Sequence, residues 1–402
     1  MRLSTNMMYQ QGIRSIQTAS QSLDTANQQM TSGDKFTSSG EDPIGMSQKL
    51  SLSSQIGLYN QYNTNGGLLN SSLSLEETVL NSVNTGMMSA YTAVQSANNT
   101  SMSADDRASI ATQLEETQKQ LYDLMNSKNA DGEYIFGGNQ SQTQPFVKDS
   151  AGIYQFQGDT GQRQIQIAPS VQVASNDSGL SLFQAIPTRR TASATSANLS
   201  VDISDQSQYD TYYRNNYDFS VAANNSFKVT TTAGVPDQYQ IVDNSGATLQ
   251  SGTYQAGTAI NYHGLSLTMN IAAGSSVESF KFDTPQNDNI LNTLSQAIAI
   301  LKDPNSTTAD IQKMAADTQS HLSNAMDKVN TTLGEIGGRM TNADQIANSN
   351  TSLNSISQEA KANVSQVDMY AAISKVAQEQ NALTVAQQAY TKINKSTLFD
   401  YI

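Results

Sequence analysis

The chain has 402 residues, of which 37% are hydrophobic and only 14% charged, with no Cys and a formal charge of −13. A polyanion is repelled by phosphate backbones and anionic lipid, which argues against nucleic acid or a membrane surface as partner. The missing thiols exclude disulfides, Cys zinc sites and iron–sulfur clusters, and no apolar run reaches the roughly 18 residues of a membrane span.

From Ser4 to about Met125 the apolar residues recur at helical spacing. Ile16, Leu23 and Met30 stand seven apart with Ala19 and Ala26 beside them, and Leu73, Leu80, Met87 and Val94 form a second seam flanked by Leu69, Val83 and Ala90. Sustained sevens predict helices packed along their length. Between the seams, Ser32 to Gly45 is rich in Gly and Ser and contains Pro43, which reads as a break. Ser103-Ala-Asp-Asp106 resembles a capping box opening a further helix through Ile110, Leu114, Leu121 and Met125.

Near Asn129-Ala-Asp-Gly132 the period changes from helical to alternating. Ile165 and Ile167, Val171 and Val173, Phe227 and Val229, Leu265 to Ile271, and Phe280 with Phe282 alternate with polar residues, so the span from about Tyr134 to Asp283 reads as β. The thin composition from Ser193 to Ser200 reads as a linker dividing two smaller β units. Tyr-rich Asp210-Thr-Tyr-Tyr-Arg214 is taken as folded β surface and Arg189-Arg190 as part of an exposed linker. After Thr284-Pro285 the helical period returns with Ile290, Leu294, Ile298 and Leu301, and Asp303-Pro304 ends it. A long segment follows with Leu322, Val329 and Ile336 on one seam and Ile346, Leu353 and Val367 on the adjoining one; Gly334, Gly337 and Gly338 predict a kink or break within it. The last seam is Val376, Leu383 and Tyr390, with Ile393 close by.

The expected fold class is therefore mainly α with a β insertion: an elongated, coiled-coil-like helical bundle formed by both chain termini, plus central antiparallel β domains. The expected division is a terminal helical domain at 1–42 and 363–402, a helical bundle at 43–133 and 286–362, and a surface β domain at 134–285 divided near 187–200.

Catalytic chemistry finds no foothold in this sequence. His263 and His321 lie in different regions and read as solvated or structural residues, and no HExxH, phosphate-binding Gly loop or nucleophile elbow occurs. Glu76-Glu77, Asp105-Asp106 and Glu115-Glu116 are adjacent acids on helices, where neighbours in sequence face apart, and read as surface charge. No enzyme activity, cofactor or metal is expected. Gly137-Gly138 reads as a turn into the β region.

The two ends raise a different question. Each carries a narrow apolar stripe among Ser, Gln and Asn, and helices gain most of their stability from a buried face. The simplest partner for each end is the other, as an antiparallel pair, but such a pair leaves much of both stripes uncovered. Heptad seams most often belong to a monomer's own bundle, and that reading is accepted for Leu73 to Val94 and Leu322 to Ile336. For the ends, neighbouring copies are the expected cover. The expected contact residues are Leu3, Met7, Ile13, Ile16, Leu23 and Met30 at the start, with Val376, Leu383, Tyr390, Ile393, Leu398, Phe399, Tyr401 and Ile402 at the end.

Several motifs resemble those of the flagellin-type axial proteins of the bacterial flagellum. Met1-Arg-Leu-Ser-Thr-Asn-Met-Met-Tyr9 is similar to their start, Ser32-Gly-Asp-Lys-Phe36 with Glu41-Asp-Pro43 to their Ser-Gly-Lys-Arg and Asp-Asp-Pro signature, and Asn98 to Arg107 to the stretch that follows. Gly132-Glu-Tyr-Ile-Phe-Gly-Gly138 with Pro145-Phe146, and the ending Thr397-Leu-Phe-Asp-Tyr-Ile402, resemble the hook-associated members. The resemblance covers about Met1 to Phe146 and Asp288 to Ile402, while Thr188 to Asp283 looks longer than the family minimum. It implies a structural adaptor between hook and filament, with other copies of itself in a ring, another hook-associated protein and flagellin as neighbours. It also implies a cytoplasmic export chaperone and passage through the flagellar type III apparatus. Residues alone suggest a cytoplasmic chain, with no apolar leader; the resemblance instead implies a place outside the cell. The alternatives are flagellin itself, the filament subunit, and an adhesive or carbohydrate-binding protein acting through the β insertion.

Overall fold

The computed structural model describes residues 5–99 and 101–399, with side chains between Met7 and Lys392. Seven α-helices and fourteen strands are described, helical at both ends and β in between. The chain divides into two compact units: residues up to Ser71, Gln164–Val173 and from Gly338 on form one, and Ser72–Arg163 with Ala174–Gly337 form the other.

In the first unit, α1 (Thr5–Ser32) runs antiparallel to α7 (Met369–Phe399), so start meets end as the stripes require. The first part of α2 (Pro43–Ala97) lies beside the last part of α6 (Thr308–Ser365). Asn60 accepts from Asn354 at 2.7 Å, Asn63 donates to Thr351 at 3.3 Å and Asn70 donates to Asp344 at 2.7 Å. Each step forward on α2 is matched by an equal step back on α6, and Asn84 with Asn330, 3.0 Å apart in the second unit, obeys the same register. The seam of α6 does not shift after Ile336. Ala343, Asn350 and Ser357 continue the spacing of Leu322, Val329 and Ile336 and are buried, whereas Ile346 is half-buried and Leu353 exposed. Asn350 occupies an interior position because its amide donates to the Ile167 carbonyl of β3 (Gln164–Ala168) at 2.8 Å; β3 pairs with β4 (Val171–Ala174). A buried polar group with its bond made costs little. No break occurs at Gly334, Gly337 and Gly338: α6 is helical through them, since glycine weakens a helix interior by only about 1 kcal/mol relative to alanine and leaves its backbone bonds intact.

The break between α1 and α2 is a built corner. Gly33 takes φ +72°, Phe36 is buried, and the Phe36 ring would lie 2.8 Å from a Cβ at Gly45. Asp42 accepts from the Gly45 N–H at 2.9 Å and Pro43 opens α2, the arrangement in which proline's missing N–H costs nothing. Asp34 pairs with Lys49, and Glu41 accepts from the Thr37 N–H at 2.8 Å.

In the second unit, α2 continues beside α3 (Ala104–Met125), α5 (Ile290–Lys302) and the first part of α6. The seam Leu73, Leu80, Met87, Val94 is fully buried, and Ser103 with Asp106 forms the expected capping box. Glu76, read as surface charge, is instead buried and accepts from the Asp177 N–H at 3.0 Å. Two short strands, β1 (Phe146–Lys148) and β2 (Tyr154–Phe156), form an antiparallel hairpin. Then β5 (Ile186–Pro187) leads to an outer β domain: β6 (Ala192–Ala194), β7 (Leu199–Ile203), α4 (Gln206–Asn216), β8 (Ser226–Thr232), β9 (Gln238–Val242), β10 (Thr248–Thr253), β11 (Ile260–Tyr262), β12 (Leu265–Met269) and β13 (Val277–Phe282), with β14 (Asn287–Asp288) leading out. One antiparallel sheet has the order β10-β9-β8-β13-β6 and a second β11-β12-β7. The alternating residues Phe227, Val229, Leu265, Leu267, Met269, Phe280 and Phe282 all point into their shared core.

Three readings of this region are corrected. Ser193 to Ser200 is not a linker, because β6 pairs with β13 and β7 with β12, and backbone ladders compensate for its small side chains. The Tyr-rich stretch is helical: α4 begins at the Asp205 cap and places Tyr209 and Tyr213, four apart, in the core. Arg189-Arg190 is not exposed either, since Arg189 pairs with Asp317 at 3.0 Å and Arg190 with Asp210 at 3.6 Å. His263, at φ 45°, joins Gly264 in the two-residue turn between β11 and β12 and stacks on Tyr212 at 3.8 Å.

The corner yields a test. Asp42→Ala removes the cap of α2 and should lower the stability of the full chain by about 1 kcal/mol in urea unfolding followed by circular dichroism, whereas Asp42→Asn should cost less than half as much.

Candidate assembly surface

The paired α1 and α7 are fastened at both ends of their contact. At one end the backbone closes a short ladder: the Lys35 N–H donates to Ser365 O at 2.7 Å and the Val367 N–H to Gly33 O at 2.8 Å, with Asp34 bridging Gln366. Asp368 then accepts from the Tyr370 and Ala371 N–H groups and starts α7. Near the same end, Lys375 donates to Gln29 at 3.4 Å. At the far end Tyr9 packs on Tyr390, with ring centroids 5.1 Å apart, and the Tyr390 ring lies over Gly12, where an added Cβ would sit 2.9 Å from it. The hydrogen bond with the Tyr9 hydroxyl, followed by desolvation, raises Tyr390 above the ordinary phenol range.

Between these fastenings the contact is thin. Among the described side chains of α1 and α7 only Ala26 and Ala372 are buried. Ile16, Leu23, Met30, Val376, Leu383 and Tyr390 are half-buried, so both stripes do turn toward the pairing face, while Met7 and Ile13 remain exposed at 53% and 38%. Leu3, Tyr401 and Ile402 lie outside the described residues, and Ile393, Leu398 and Phe399 sit on α7 beyond its described side chains. Sequence reasoning overlooked other exposed apolar groups: Tyr9 on α1, Tyr370, Ile373 and Val385 on α7, Ile44, Leu50 and Leu58 on α2, and Ile356 on α6. Apart from Tyr9, which stands seven before Ile16, they fall off the heptad seams that guided the reading. Gly12 was also overlooked; other helical glycines such as Gly57, Gly66 and Gly334 have nothing against them, so the residue type alone does not mark the contact. Between Met7 and Lys392 the two helices carry only Arg14, Asp24, Lys375, Glu379 and Lys392 as charges, so little charge repulsion opposes packing by further helices.

The motif Gly132 to Gly138, in the second unit, is a folded loop and not a ligand cradle. Phe136 is buried edge-on against Phe183, Glu133 pairs with Arg163 at 2.6 Å, and Gly138 takes φ +72° with Asp159 where a Cβ would stand. Asn176 ties it down through the Gly138 carbonyl at 3.2 Å. Arg163 first, and then Ser141, hold the Glu133 carboxyl below the usual range. Among the described residues no group of three or more His, Asp or Glu could hold a metal ion, and no helix is long and apolar enough to cross a membrane.

This arrangement, terminal helices paired antiparallel around a β insertion, defines a class. Residues 3–141 match the family of the bacterial flagellin N-terminal helical region, so the opening helical part of the chain is similar to that of flagellin-type proteins. Within that class the chain is similar to flagellar hook-associated protein 3. It is 35% identical over 149 residues to the protein of that name from Escherichia coli K12 and 34% identical over 154 residues to that of Salmonella typhimurium LT2, covering 37% and 38% of this chain. The matches span about half the length of these curated relatives, 47% and 49%. The crystal structure of hook-associated protein 3 from Legionella pneumophila shares the fold, with a TM-score of 0.59 at 21% identity over 78% of this chain and 98% of that one.

The contact at Gly12 can be tested directly. Gly12→Val should displace Tyr390 and raise amide hydrogen exchange in residues 380–392 at least about tenfold, leaving residues 290–302 unchanged; equal exchange in both regions of variant and parent would refute the contact.

Proposed function

We propose that this chain is a structural adaptor of the bacterial flagellum, located outside the cell, which joins the hook to the flagellin filament. The observation that carries the reading is the thin α1–α7 contact, in which two apolar stripes remain half-buried and several large side chains stand wholly exposed. Burying one such side chain contributes about 1.5–3 kcal/mol, so covering several of them by neighbouring copies favours assembly. The similarity to hook-associated protein 3 supports the same reading.

Copies of the chain stack in a ring through head-to-tail contacts, with the terminal helices innermost, another hook-associated protein on one side and flagellin on the other. Met7, Ile13, Ile16, Leu23, Met30, Val376, Leu383 and Tyr390 make these contacts together with Leu3, Ile393, Leu398, Phe399, Tyr401 and Ile402. Before assembly the chain travels through the type III apparatus, held by a cytoplasmic chaperone, and the terminal helices reach full order only against their neighbours. The role is structural and involves no catalysis.

Deleting residues 398–402 should abolish attachment of filament to hook, and with it motility, while the purified protein keeps its helical and β signal in circular dichroism; normal motility would overturn the reading. Electron microscopy of the purified chain after salting out should show no long filaments, whereas filaments grown from this chain alone would identify a filament subunit.

A further inference from the structure

The outer β domain hangs from the helices of its unit by one neck. The chain enters through β5 and leaves through β14, paired at Ile186 with Asp288 and Pro187 with Asn287, and one bond from the Thr188 N–H to Gln286 O at 2.9 Å extends the ladder. His321 of α6, only 1% exposed, grips this neck. Its Nε2 lies 3.1 Å from Ile186 O and its Nδ1 2.6 Å from the Thr293 hydroxyl on α5. A carbonyl only accepts, so Nε2 carries the proton and Nδ1 accepts from Thr293. Asn324 adds a bond to Pro187 O at 2.8 Å, and Arg189 reaches Asp317 and Gln206. Beside the neck a cleft of about 1070 Å³, lined by strand residues such as Val201 and Asp283 and by α6 residues such as Lys313 and Asp317, separates the outer strands from α5 and α6.

We propose that this neck is a proton-operated latch: neutral His321 holds β5 to α5 and α6, and protonation at Nδ1 frees the outer β domain to tilt over the cleft. Once protonated, Nδ1 turns from acceptor to donor, so the Thr293 hydroxyl must rotate to accept from it, and the ring then carries a positive charge in a site stripped of water, a charge relieved only where the neck opens the ring to solvent. The charges around the ring do little to offset this. Asp288 approaches from β14, Arg189 from the end of the neck, and Asp317 and Lys313 from α6, while Thr293 and Ile186 bring no titratable side chain. Burial holds His321 below the usual imidazole range, with the Ile186 carbonyl and Asp288 opposing it less strongly. The direction of the pH effect follows. A depressed folded value means that the closed latch is fully stabilised above the ordinary histidine value of about 6.5 and is lost as pH falls through the lower folded value.

The full chain allows a clean test because it has no Cys. Glu116→Cys on α3 and Val277→Cys on β13 give one spin-label pair whose distance reports the pose of the outer domain. A narrow distribution at pH about 7.5 should at least double in width at pH about 5, over the interval in which the His321 imidazole titrates by NMR, with far-ultraviolet circular dichroism unchanged. His263→Gln assigns the two histidine signals, and His321→Gln should make the distance independent of pH. A parent distribution that stays narrow while His321 titrates overturns the latch, as does equal broadening in His321→Gln. Should that variant fail to fold, a mismatch between the His321 titration and the distance change in the parent overturns it equally.

Discussion

Two helices in contact can bury only the strip along which they touch, and for α1 and α7 that strip is too narrow for the apolar side chains they carry. Ala26 and Ala372 go fully inside because they are small and sit on the line of contact; Ile16, Leu23, Val376 and Leu383 stand beside it and are half-covered. The contrast with the second unit is one of layer number. There α2 meets α3 at Gly86 against Leu121 and α6 at Asn84 with Asn330, α5 packs on α3, and the same kind of seam, Leu73 to Val94, is fully buried. The exposure of apolar side chains at the ends is thus set by geometry and not by unusual composition.

Seams such as Leu73 to Val94 and Leu322 to Ile336 were legible in the sequence, and so were β3, β4, β8, β12 and β13, whose alternation marks one face of each, whereas β6 and β7 were not. What escaped was the polar interior. Asn350 and Ser357 hold buried positions on a heptad that began with Leu322, and the α2–α6 register is carried by Asn60, Asn63, Asn70 and Asn84. Hydropathy patterns treat these residues as surface, because nothing in a linear pattern says that an amide will find its partner 274 residues away, as Asn70 does. Glu76 was misread for the same reason, since its partner is a backbone N–H on a segment remote in the chain.

At the candidate surface, the half-buried contact residues followed from spacing, but Tyr370 and Ile44, each just inside a helix start, did not. Residues in a first turn lie beside caps, where local hydrogen bonding dominates the reading and an apolar side chain is easily passed over. The motifs that resemble the flagellin type are informative in another way. Asp42-Pro43 starts a helix, Phe36 closes a corner on Gly45, and the loop at Gly138 cannot bear a side chain, so their spacing records folding geometry and not ligand chemistry.

The paired strands β5 and β14 also decide how mechanical load runs through this unit. Because the chain leaves the helices at Pro187 and rejoins them opposite it at Asn287, a pull transmitted along α3, α5 and α6 has no need to pass through the hundred or so residues between. The outer domain is a side branch at this pair of strands, and a change in its bulk leaves the two points at which it joins the helices side by side.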